Sequence, residues 1–292
     1  TYFPLYQYGL KLKFVDIGKC PYELALIFQE QIQKSVSEGS CPDLVVFVEH
    51  PSVLTLGKNS VDGHLLSNES ELSDAGIEIH KTDRGGQVTA HEEGQLVMYP
   101  ILSITKLNLT PKKYVRILED AVINSLNRFD IEATRDPDFP GIWVGTEKIC
   151  AIGIRIKNRV SMHGIALNVN NSLQTFSHIV PCGISDRGVT NIARLAGNHT
   201  ADLGRVKAVL SEEFSKLLQH SKNLSVRPRN CLINSFGSSL LKNGTIFEAT
   251  VRLIFPSAII SSSNGTLWTC SDTWILRYMA PSDNGKLSTQ KS

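Results

Sequence analysis

Cys182 lies between a proline and a glycine in the segment HIVPCGISDRG, residues 178–188. Pro181 has no N–H and fixes its own φ, and Gly183 permits an unusual backbone angle or a close approach. Such a stiff backbone can hold a sulfur out as a nucleophile, but the thiol can equally be a buried side chain or half of a disulfide. The local sequence alone favours a buried, inert thiol, because free cysteines are commonly buried.

A nucleophilic Cys182 needs a base or a cation beside it. His178 is four residues upstream, a span of about 13 Å on an extended strand. Pro181 argues against a helix that would shorten that distance. We therefore interpret His178 as a strand or surface histidine, and His91 and His163 are possible bases only if the fold brings them close.

Lys148 is the other candidate partner for the thiol. It opens the apolar segment KICAIGIRI close to Gly145, where a lysine could project into a pocket. Taken alone, the stretch favours an ordinary strand-end lysine in water. Cys150 shares this strand but lies within the apolar run, so it is predicted to belong to the core.

The segment DRGGQVTAHEEGQLVMYP, residues 83–100, contains a second group of candidate residues. Gly85 and Gly86 let the main chain approach a ligand closely. Arg84 could hold an anionic group such as a phosphate, and the alternation of QVTAH places His91 on one face with Thr89. We predict a hairpin that offers Arg84 and His91 to a single space; the alternative is a glycine-rich turn with a solvated arginine.

Composition excludes several classes of protein. The chain has 292 residues, of which 41% are hydrophobic and 20% charged, and its net charge is +2. Lysine and arginine are scattered rather than clustered, which disfavours a nucleic-acid partner. Six cysteines without any CxxC pair fit neither a disulfide scaffold nor a zinc site. The sequence contains no uninterrupted apolar stretch of about 18 residues, so no membrane span is predicted.

Apolar residues at helical spacing predict three amphipathic helices and one short helix. The first covers residues 21–37, the second starts at the Thr110-Pro111 pair, and the third starts at Thr200. Residues 68–75 are predicted to form a brief helix capped by Asn68 or Ser70.

Strand-like segments lie between these helices, at residues 43–50, 94–104, 148–156 and 159–169. The last two are predicted to form a hairpin across Lys157-Asn158. Because helices and strands interleave without a strict βαβ rhythm, we predict an α+β fold with a mixed β-sheet flanked by helices.

Composition changes after about residue 220, where serine, asparagine and glycine become frequent around one apolar stretch at 246–260. We predict a catalytic domain over residues 1–220 and a C-terminal appendage over residues 221–292, either poorly ordered or a small accessory region.

The chain resembles the lipoyl(octanoyl) transferases, which share the catalytic-domain fold of the biotin and lipoate protein ligases. The resemblance covers roughly residues 10–215 and rests on three segments in order: RGGQVTAHEEGQLVMYP, GIWVGTEKICAIGIRI and HGIALNVNNSLQTFSHIVPCGI. It implies that Cys182 is the acyl-thioester nucleophile and Lys148 its activating partner. It also implies an acyl-substrate site, whose members would be Arg84, Gly85, Gly86, Gln87, Val88, Thr89, Ala90, His91, Ala151, Ile152, Gly153, Gly164, Ile165 and Ala166.

The resemblance implies transfer of an octanoyl group from octanoyl-acyl carrier protein to a lysine of a lipoyl domain, the first step of endogenous protein lipoylation. The acceptors would be the lipoyl domains of 2-oxoacid dehydrogenase complexes and the glycine cleavage H protein. No cofactor and no metal are expected, since a thioester donor makes transfer to an amine downhill. The segments KICAIG and HIVPCG resemble those of animal members, which implies a mitochondrial location; a bacterial chain would be cytoplasmic.

The chain departs from the family pattern at two places. Glu92-Glu93 stands where members usually carry Gly-Pro, and Ala90 where they carry an aromatic residue. Two carboxylates in that turn are expected to repel an acidic carrier or to alter the rim of the pocket. These carboxylates leave open a catalytically impaired relative that only binds carrier or lipoyl domains. An ATP-dependent lipoate–protein ligase, which has the same fold, is the other alternative.

Overall fold

The structure, a computed structural model, describes residues 12–180, 187–197 and 201–221, together with four short strands between residues 246 and 279. The chain divides into two units, Phe3–Arg227, and Pro228–Ser292 together with Thr1–Tyr2. Cys182 lies outside the described residues.

A seven-stranded mixed sheet forms the centre of the larger unit. Its strands in spatial order are β1 (Lys13–Lys19), β2 (Leu44–Glu49), β6 (Gln95–Ile101), β10 (Val160–Asn168), β9 (Glu147–Lys157), β8 (Ile142–Val144) and β7 (Thr134–Arg135). Strands β1 and β2 run parallel, and the other neighbours run antiparallel. A three-stranded sheet contains β4 (Glu78–Lys81), β3 (Val53–Leu56) and β5 (Val88–His91) in that order.

Within the described residues, five α-helices accompany these sheets: α1 (Tyr22–Glu38), α2 (Glu69–Asp74), α3 (Pro111–Asn127), α4 (Ile192–Ala196) and α5 (Leu203–Ser221). The same part of the chain contains 3-10 helices at Asp62–His64 and Gln174–His178. Helices α3 and α5 pack their apolar faces, including Tyr114, Leu118 and Phe214, on the large sheet, and α1 contacts β6 and β10. The predicted α+β fold with a mixed sheet flanked by helices is confirmed.

The local signals that predicted the helices are visible in the structure. The Thr110 side chain accepts a hydrogen bond from the backbone N–H of Lys113, with Pro111 as the first helical residue. Asn68 caps α2 in a reciprocal capping box with Glu71. Helix α5, however, begins at Leu203 and not at Thr200, because the Asp202 side chain accepts from the N–H of Arg205 at 2.7 Å.

The hairpin of β9 and β10 is confirmed, with its turn one residue later than predicted. Asn158 and Arg159 both have positive φ, 51° and 65°, as a two-residue hairpin turn of the I′ type requires. The other predicted hairpin is wrong. Strand β5 pairs with β3 in the small sheet, while both edges of β6 are taken by β2 and β10 in the large sheet. The turn at 92–94 therefore carries the chain from one sheet to the other.

In the smaller unit, β11 (Ile246–Ala249) pairs antiparallel with β14 (Leu276–Met279), and β12 (Thr269–Cys270) with β13 (Thr273–Trp274). No helix in the described part of the chain is both long and apolar enough to cross a membrane. The division at residue 220 into a catalytic domain and an appendage stays a prediction.

Candidate active site

A cavity of about 230 Å³ lies between the loop before β5 and the strands β6, β9 and β10. It is lined by Lys148 and by all the predicted acyl-site residues except Gly85 and Ala90. The Ala90 side chain is buried in the core of the small sheet instead. The fold thus brings together three segments that are distant in sequence: 84–91, 148–153 and 163–166.

Small side chains create the space in this cavity. Gly153 pairs with Gly164, and Ala151 with Ala166, across β9 and β10. Side chains alternate between the faces of a strand, so these four residues share one face while Ile152 and Ile165 pack on the other, in or against the core below α3 and α5.

Neither of the two paired glycines tolerates a larger residue. A Cβ on Gly164 would lie 2.1 Å from the Met98 carbonyl oxygen. A Cβ on Gly153 would lie 2.8 Å from the Gly85 carbonyl oxygen, where the 84–86 loop binds β9 through the Gly85 N–H and the Ile154 carbonyl. The glycines therefore allow the loop to pack directly on the strand.

Arg84 holds that loop to the small sheet. The side chain is buried, and its guanidinium donates to the carbonyl and the hydroxyl of Thr55 and to the carbonyl of Gly85. Its burial excludes the solvated arginine that was the alternative. These hydrogen bonds hold the cavity wall, and the expected role of Arg84 in holding an anionic group stays a prediction.

His91 is neutral, and its tautomer follows from its partners. Burial lowers the pKa of His91 well below its usual value, and the neighbouring His50 adds to this effect. The Gln95 amide nitrogen donates to Ala90 and Asn168, so the Gln95 oxygen faces His91 Nδ1 at 2.8 Å. Nδ1 therefore carries the proton, which leaves Nε2 to accept from the Thr55 hydroxyl at 3.4 Å.

His163 also lines the cavity, in a strained conformation. Its φ is 55° in the middle of β10, which costs about 1–3 kcal/mol for a non-glycine residue. Nε2 lies 3.1 Å from an Asp83 carboxylate oxygen, and Nδ1 is buried without a hydrogen-bond partner among the described residues. Burial lowers the pKa of His163 despite the favourable effect of Asp83, so the ring is neutral, with its proton on the Nε2 that faces the carboxylate.

Lys148 is buried, which overturns the interpretation that its sequence context alone favoured. Its side chain lines the cavity, and Nζ donates to the Pro140 carbonyl at 2.9 Å and lies 4.7 Å from the centroid of the Trp143 ring. Its backbone N–H donates to the Gly188 carbonyl, and its carbonyl accepts from the N–H of Thr190. Lys148 is thereby joined to Gly188 and Thr190, which lie shortly after residues 181–186, the Cys182 segment.

Both ends of that segment are anchored. On the upstream side, the Val180 N–H donates to the His64 carbonyl and Ile179 bridges to Leu65. On the downstream side, Arg187 pairs with Asp136 at 2.5 Å and lies over the Trp143 ring at 5.0 Å. Cys182 is two residues after Val180, a reach of at most about 7 Å.

Cys20 and Cys150 are poor nucleophiles. Burial raises the pKa of Cys20 to about 11 and raises that of Cys150 further still, and Cys150 lies in the core as predicted. Cys41 is also buried. A raised pKa leaves almost no thiolate at neutral pH. The described part of the chain holds no group of three histidine, cysteine or acidic residues that could bind a metal ion.

Two further expectations need correction. Glu92 does not face a carrier at the pocket rim, because it is only 4% exposed and accepts hydrogen bonds from residues 171–175. Only Glu93 is exposed, where it pairs with Lys19. His178 is not on a strand; it ends a 3-10 helix, and its Nδ1 lies 2.8 Å from the Ser67 hydroxyl.

Sequence reasoning missed several cavity residues, among them Tyr22, Tyr99 and Phe139. Tyr22 and Tyr99 belong to an aromatic cluster with His50 and His91, with ring centroids 5.3 to 6.0 Å apart. Tyr22 is the first residue of α1, and Tyr99 lies in an unbroken apolar strand. Neither position carries a local signal that separates a cavity residue from a core residue.

Residues 21–215 match the family described as the lipoyl protein ligase A/B catalytic domain. An octanoyltransferase of Alkaliphilus metalliredigens is 43% identical over 211 residues, which cover 70% of this chain and 96% of that protein. An octanoyltransferase of Solibacter usitatus is 41% identical over 205 residues, or 70% of this chain and 89% of that protein.

Solved structures show the same fold at lower identity. A crystal structure of lipoate-protein ligase A bound with ATP has a TM-score of 0.59 and 20% identity, covering 70% of this chain and 84% of that chain. A putative lipoate protein ligase from T. acidophilum has a TM-score of 0.56 and 19% identity, and the match covers 68% of this chain and 82% of that chain.

Proposed function

The chain belongs to the lipoyl protein ligase A/B catalytic domain family, and we propose that it acts as an octanoyltransferase in protein lipoylation. The donor would be octanoyl-acyl carrier protein and the acceptors lipoyl domains, including those of 2-oxoacid dehydrogenase complexes and the glycine cleavage H protein. The observation that carries the proposal is the buried ammonium of Lys148, which lines the cavity and is joined by its backbone to the residues following the Cys182 segment.

The first half-reaction forms a thioester on Cys182. The Cys182 thiolate attacks the carbonyl carbon of the octanoyl thioester, a new S–C bond forms, and the bond to the carrier sulfur breaks. The carrier sulfur leaves as a thiolate and takes a proton from the Lys148 ammonium. A free thiol with a pKa near 8.5 is only a few per cent thiolate at neutral pH, so a cation beside it has a large effect.

The attraction available from one lysine is sufficient. Lowering a thiol pKa by about two units takes roughly 2.7 kcal/mol. An ammonium about 4 Å from the sulfur, at an effective dielectric constant near 20, supplies roughly 4 kcal/mol before the cost of desolvation.

The second half-reaction returns the enzyme to its starting state. The amine nitrogen of the acceptor lysine attacks the Cys182 thioester, a C–N bond forms, and the C–S bond breaks. Lys148, neutral after the first step, takes the proton that the attacking nitrogen loses. The thiolate and the ammonium are thereby restored, and the stable amide product makes the transfer downhill without ATP.

The cavity face of β9 and β10 suits an acyl chain. Ala151, Gly153, Gly164 and Ala166 present little side-chain volume, and Val88 and Val97 add apolar surface. Burying apolar chain in such a cavity contributes about 0.8 kcal/mol per CH₂ group, which favours a medium-length acyl group over a short one.

The test is to mix the protein with octanoyl-acyl carrier protein and to measure its intact mass, followed by peptide mapping. We expect one added octanoyl group on Cys182, lost when a lipoyl domain is added, and no adduct on the Cys182→Ala variant. Cys20→Ala is the matched control and should still be acylated. Lipoylation that requires ATP and survives Cys182→Ala would instead identify a ligase, and binding without any adduct would identify a non-catalytic relative.

We propose a mitochondrial location if the chain comes from an animal and a cytoplasmic one if it comes from a bacterium; the two relatives compared are bacterial octanoyltransferases. Fractionation of the source cells, with an antibody against the chain, would show which compartment contains it.

A further inference from the structure

The Glu92 carboxylate is buried and accepts hydrogen bonds from one short stretch of chain, residues 171–175. It receives hydrogen bonds from the N–H of Leu173, from the N–H and the hydroxyl of Thr175, from the Ser172 hydroxyl and from the Asn171 side-chain amide, at 2.5 to 3.2 Å. All these donors are neutral, and two are backbone groups whose direction is fixed. An ionised carboxylate, which only accepts, matches this arrangement.

Glu92 is also connected to the cavity through a chain of buried amides. Asn171 donates to both Glu92 and Asn168, and Gln95 donates to Asn168 while its oxygen faces His91. Because His91 lines the cavity, the carboxylate and the cavity wall belong to one hydrogen-bonded network.

On the side away from His91, the network holds the chain just before the Cys182 segment. The residues that Glu92 holds lead directly into the 3-10 helix Gln174–His178. At the end of that helix, the His178 carbonyl accepts from the Leu66 N–H at 2.9 Å, and the Val180 N–H donates to the His64 carbonyl at 2.9 Å. Cys182 follows two residues later, so the helix fixes the point at which the chain enters the segment that contains this thiol.

We propose that Glu92 is a positioning residue for the acyl-transfer reaction: its buried carboxylate fixes the 3-10 helix Gln174–His178 and thereby the approach of Cys182 to Lys148. The proposal rests on the proposed function of Cys182. Glu92 is not among the residues that line the cavity. Its effect is on the geometry of attack, where a displacement of about 1 Å can reduce the rate about 100-fold.

The test compares Glu92→Gln with Glu93→Gln. Both variants remove one negative charge at adjacent positions, but Glu93 is exposed. A glutamine at position 92 would instead point its amide hydrogens at the backbone N–H of Leu173 or of Thr175, and a backbone N–H cannot accept a hydrogen bond. For Glu92→Gln we expect single-turnover acylation of Cys182 to fall about 10- to 100-fold, with KM for octanoyl-acyl carrier protein changed less than about 3-fold. Glu93→Gln should acylate at the wild-type rate.

If Glu92 has a purely structural role, Glu92→Gln should have a lower urea midpoint but an unchanged acylation rate of the folded fraction, and that result would overturn the proposal.

Thr175→Val removes a single donor to Glu92 and is the variant to use if Glu92→Gln does not fold. It should also slow acylation, by a smaller factor than Glu92→Gln, and a wild-type rate would count against the proposal. If even the wild-type chain forms no octanoyl adduct, the proposed function fails. In that case the rate of iodoacetamide labelling of Cys182, mapped by mass, tests the positioning role of Glu92. A labelling rate that changes in Glu92→Gln but not in Glu93→Gln supports this role, and equal labelling rates in the two variants refute it.

Discussion

Lys148 and Trp143 are direct neighbours on the antiparallel strands β9 and β8, and the Lys148 ammonium lies 4.7 Å from the centroid of the indole ring. The Trp143 N–H donates to the Phe139 carbonyl at 3.0 Å, which fixes the orientation of the ring. An ammonium over an indole face gains about 2 kcal/mol where water is excluded. The pair therefore keeps a cation in a cavity wall where a lysine would otherwise be costly to bury.

The first prediction concerns Lys148→Met, which keeps most of the side-chain volume and removes the charge. Acyl transfer should fall about 100-fold or more, and the pH at which Cys182 is half alkylated should rise by about two units, because the thiolate loses its cation. Lys157→Met is the matched control, since Lys157 is an exposed lysine at the far end of the same strand. An alkylation profile that is identical in the two variants would exclude Lys148 from activation of the thiol.

The second prediction concerns the length of the acyl chain. Ala166 and Ala151 face each other on the cavity side of the sheet, so Ala166→Leu should fill space that the distal carbons of an octanoyl chain occupy. We expect kcat/KM for the octanoyl donor to fall about 10- to 200-fold, while a butanoyl donor on the same variant is transferred at close to its wild-type efficiency. Equal losses for both donors would show that the acyl chain does not lie along this face.

The third prediction concerns Thr55, whose hydroxyl accepts from the Arg84 guanidinium and lies 3.4 Å from His91 Nε2. Thr55→Val is similar in shape but removes the hydroxyl that accepts from the buried Arg84 guanidinium. The free energy of unfolding should fall by about 1–3 kcal/mol, and KM for the donor should rise because the loop at 84–86 is released. Thr105→Val, at an exposed position, should change neither quantity in urea titrations and steady-state assays.

Helices were predictable from sequence because their signals are local. Thr110 and Pro111 start α3 through contacts within a few residues, and Asn68 and Glu71 do the same for α2. The pairing of β5 depends instead on β3, more than 30 residues away, so the sequence 83–100 suggested a hairpin that does not form.

The site was predictable only in part for the same reason. Gly153 and Gly164 allow a close approach of the backbone, and the family resemblance, not their local sequence, placed them at the acyl-substrate site. The burial of Lys148 depends on Trp143, on the carbonyl of Pro140 and on the chain at Gly188, none of which the apolar run KICAIGIRI reveals. Glu92 lies in a Glu-Glu-Gly sequence typical of a solvated turn. It is buried because the groups that donate hydrogen bonds to it lie some 80 residues later in the chain.

The last prediction concerns stability at low pH, where the buried histidines have a defined effect. His50 donates from Nδ1 to the Cys20 carbonyl and accepts at Nε2 from the Tyr99 hydroxyl. Burial lowers the pKa of His50 to about 4, against 6.5 for the unperturbed side chain. Below pH 6.5 the unfolded chain therefore binds a proton that the folded chain does not, so stability is complete above that pH and is lost as the pH falls toward 4.

Between pH 7.5 and pH 5, His50 alone should cost the wild type about 2 kcal/mol of unfolding free energy. Burial lowers the pKa of His91 and of His163 as well, so their contributions have the same sign and are present in any His50 variant. His50→Gln lacks the titrating group, and its unfolding free energy should decline about 2 kcal/mol less over this range, whatever its stability at pH 7.5. Urea titrations of both proteins at the two pH values measure this difference, and parallel declines would show that the pKa of His50 is the same in the folded and the unfolded protein.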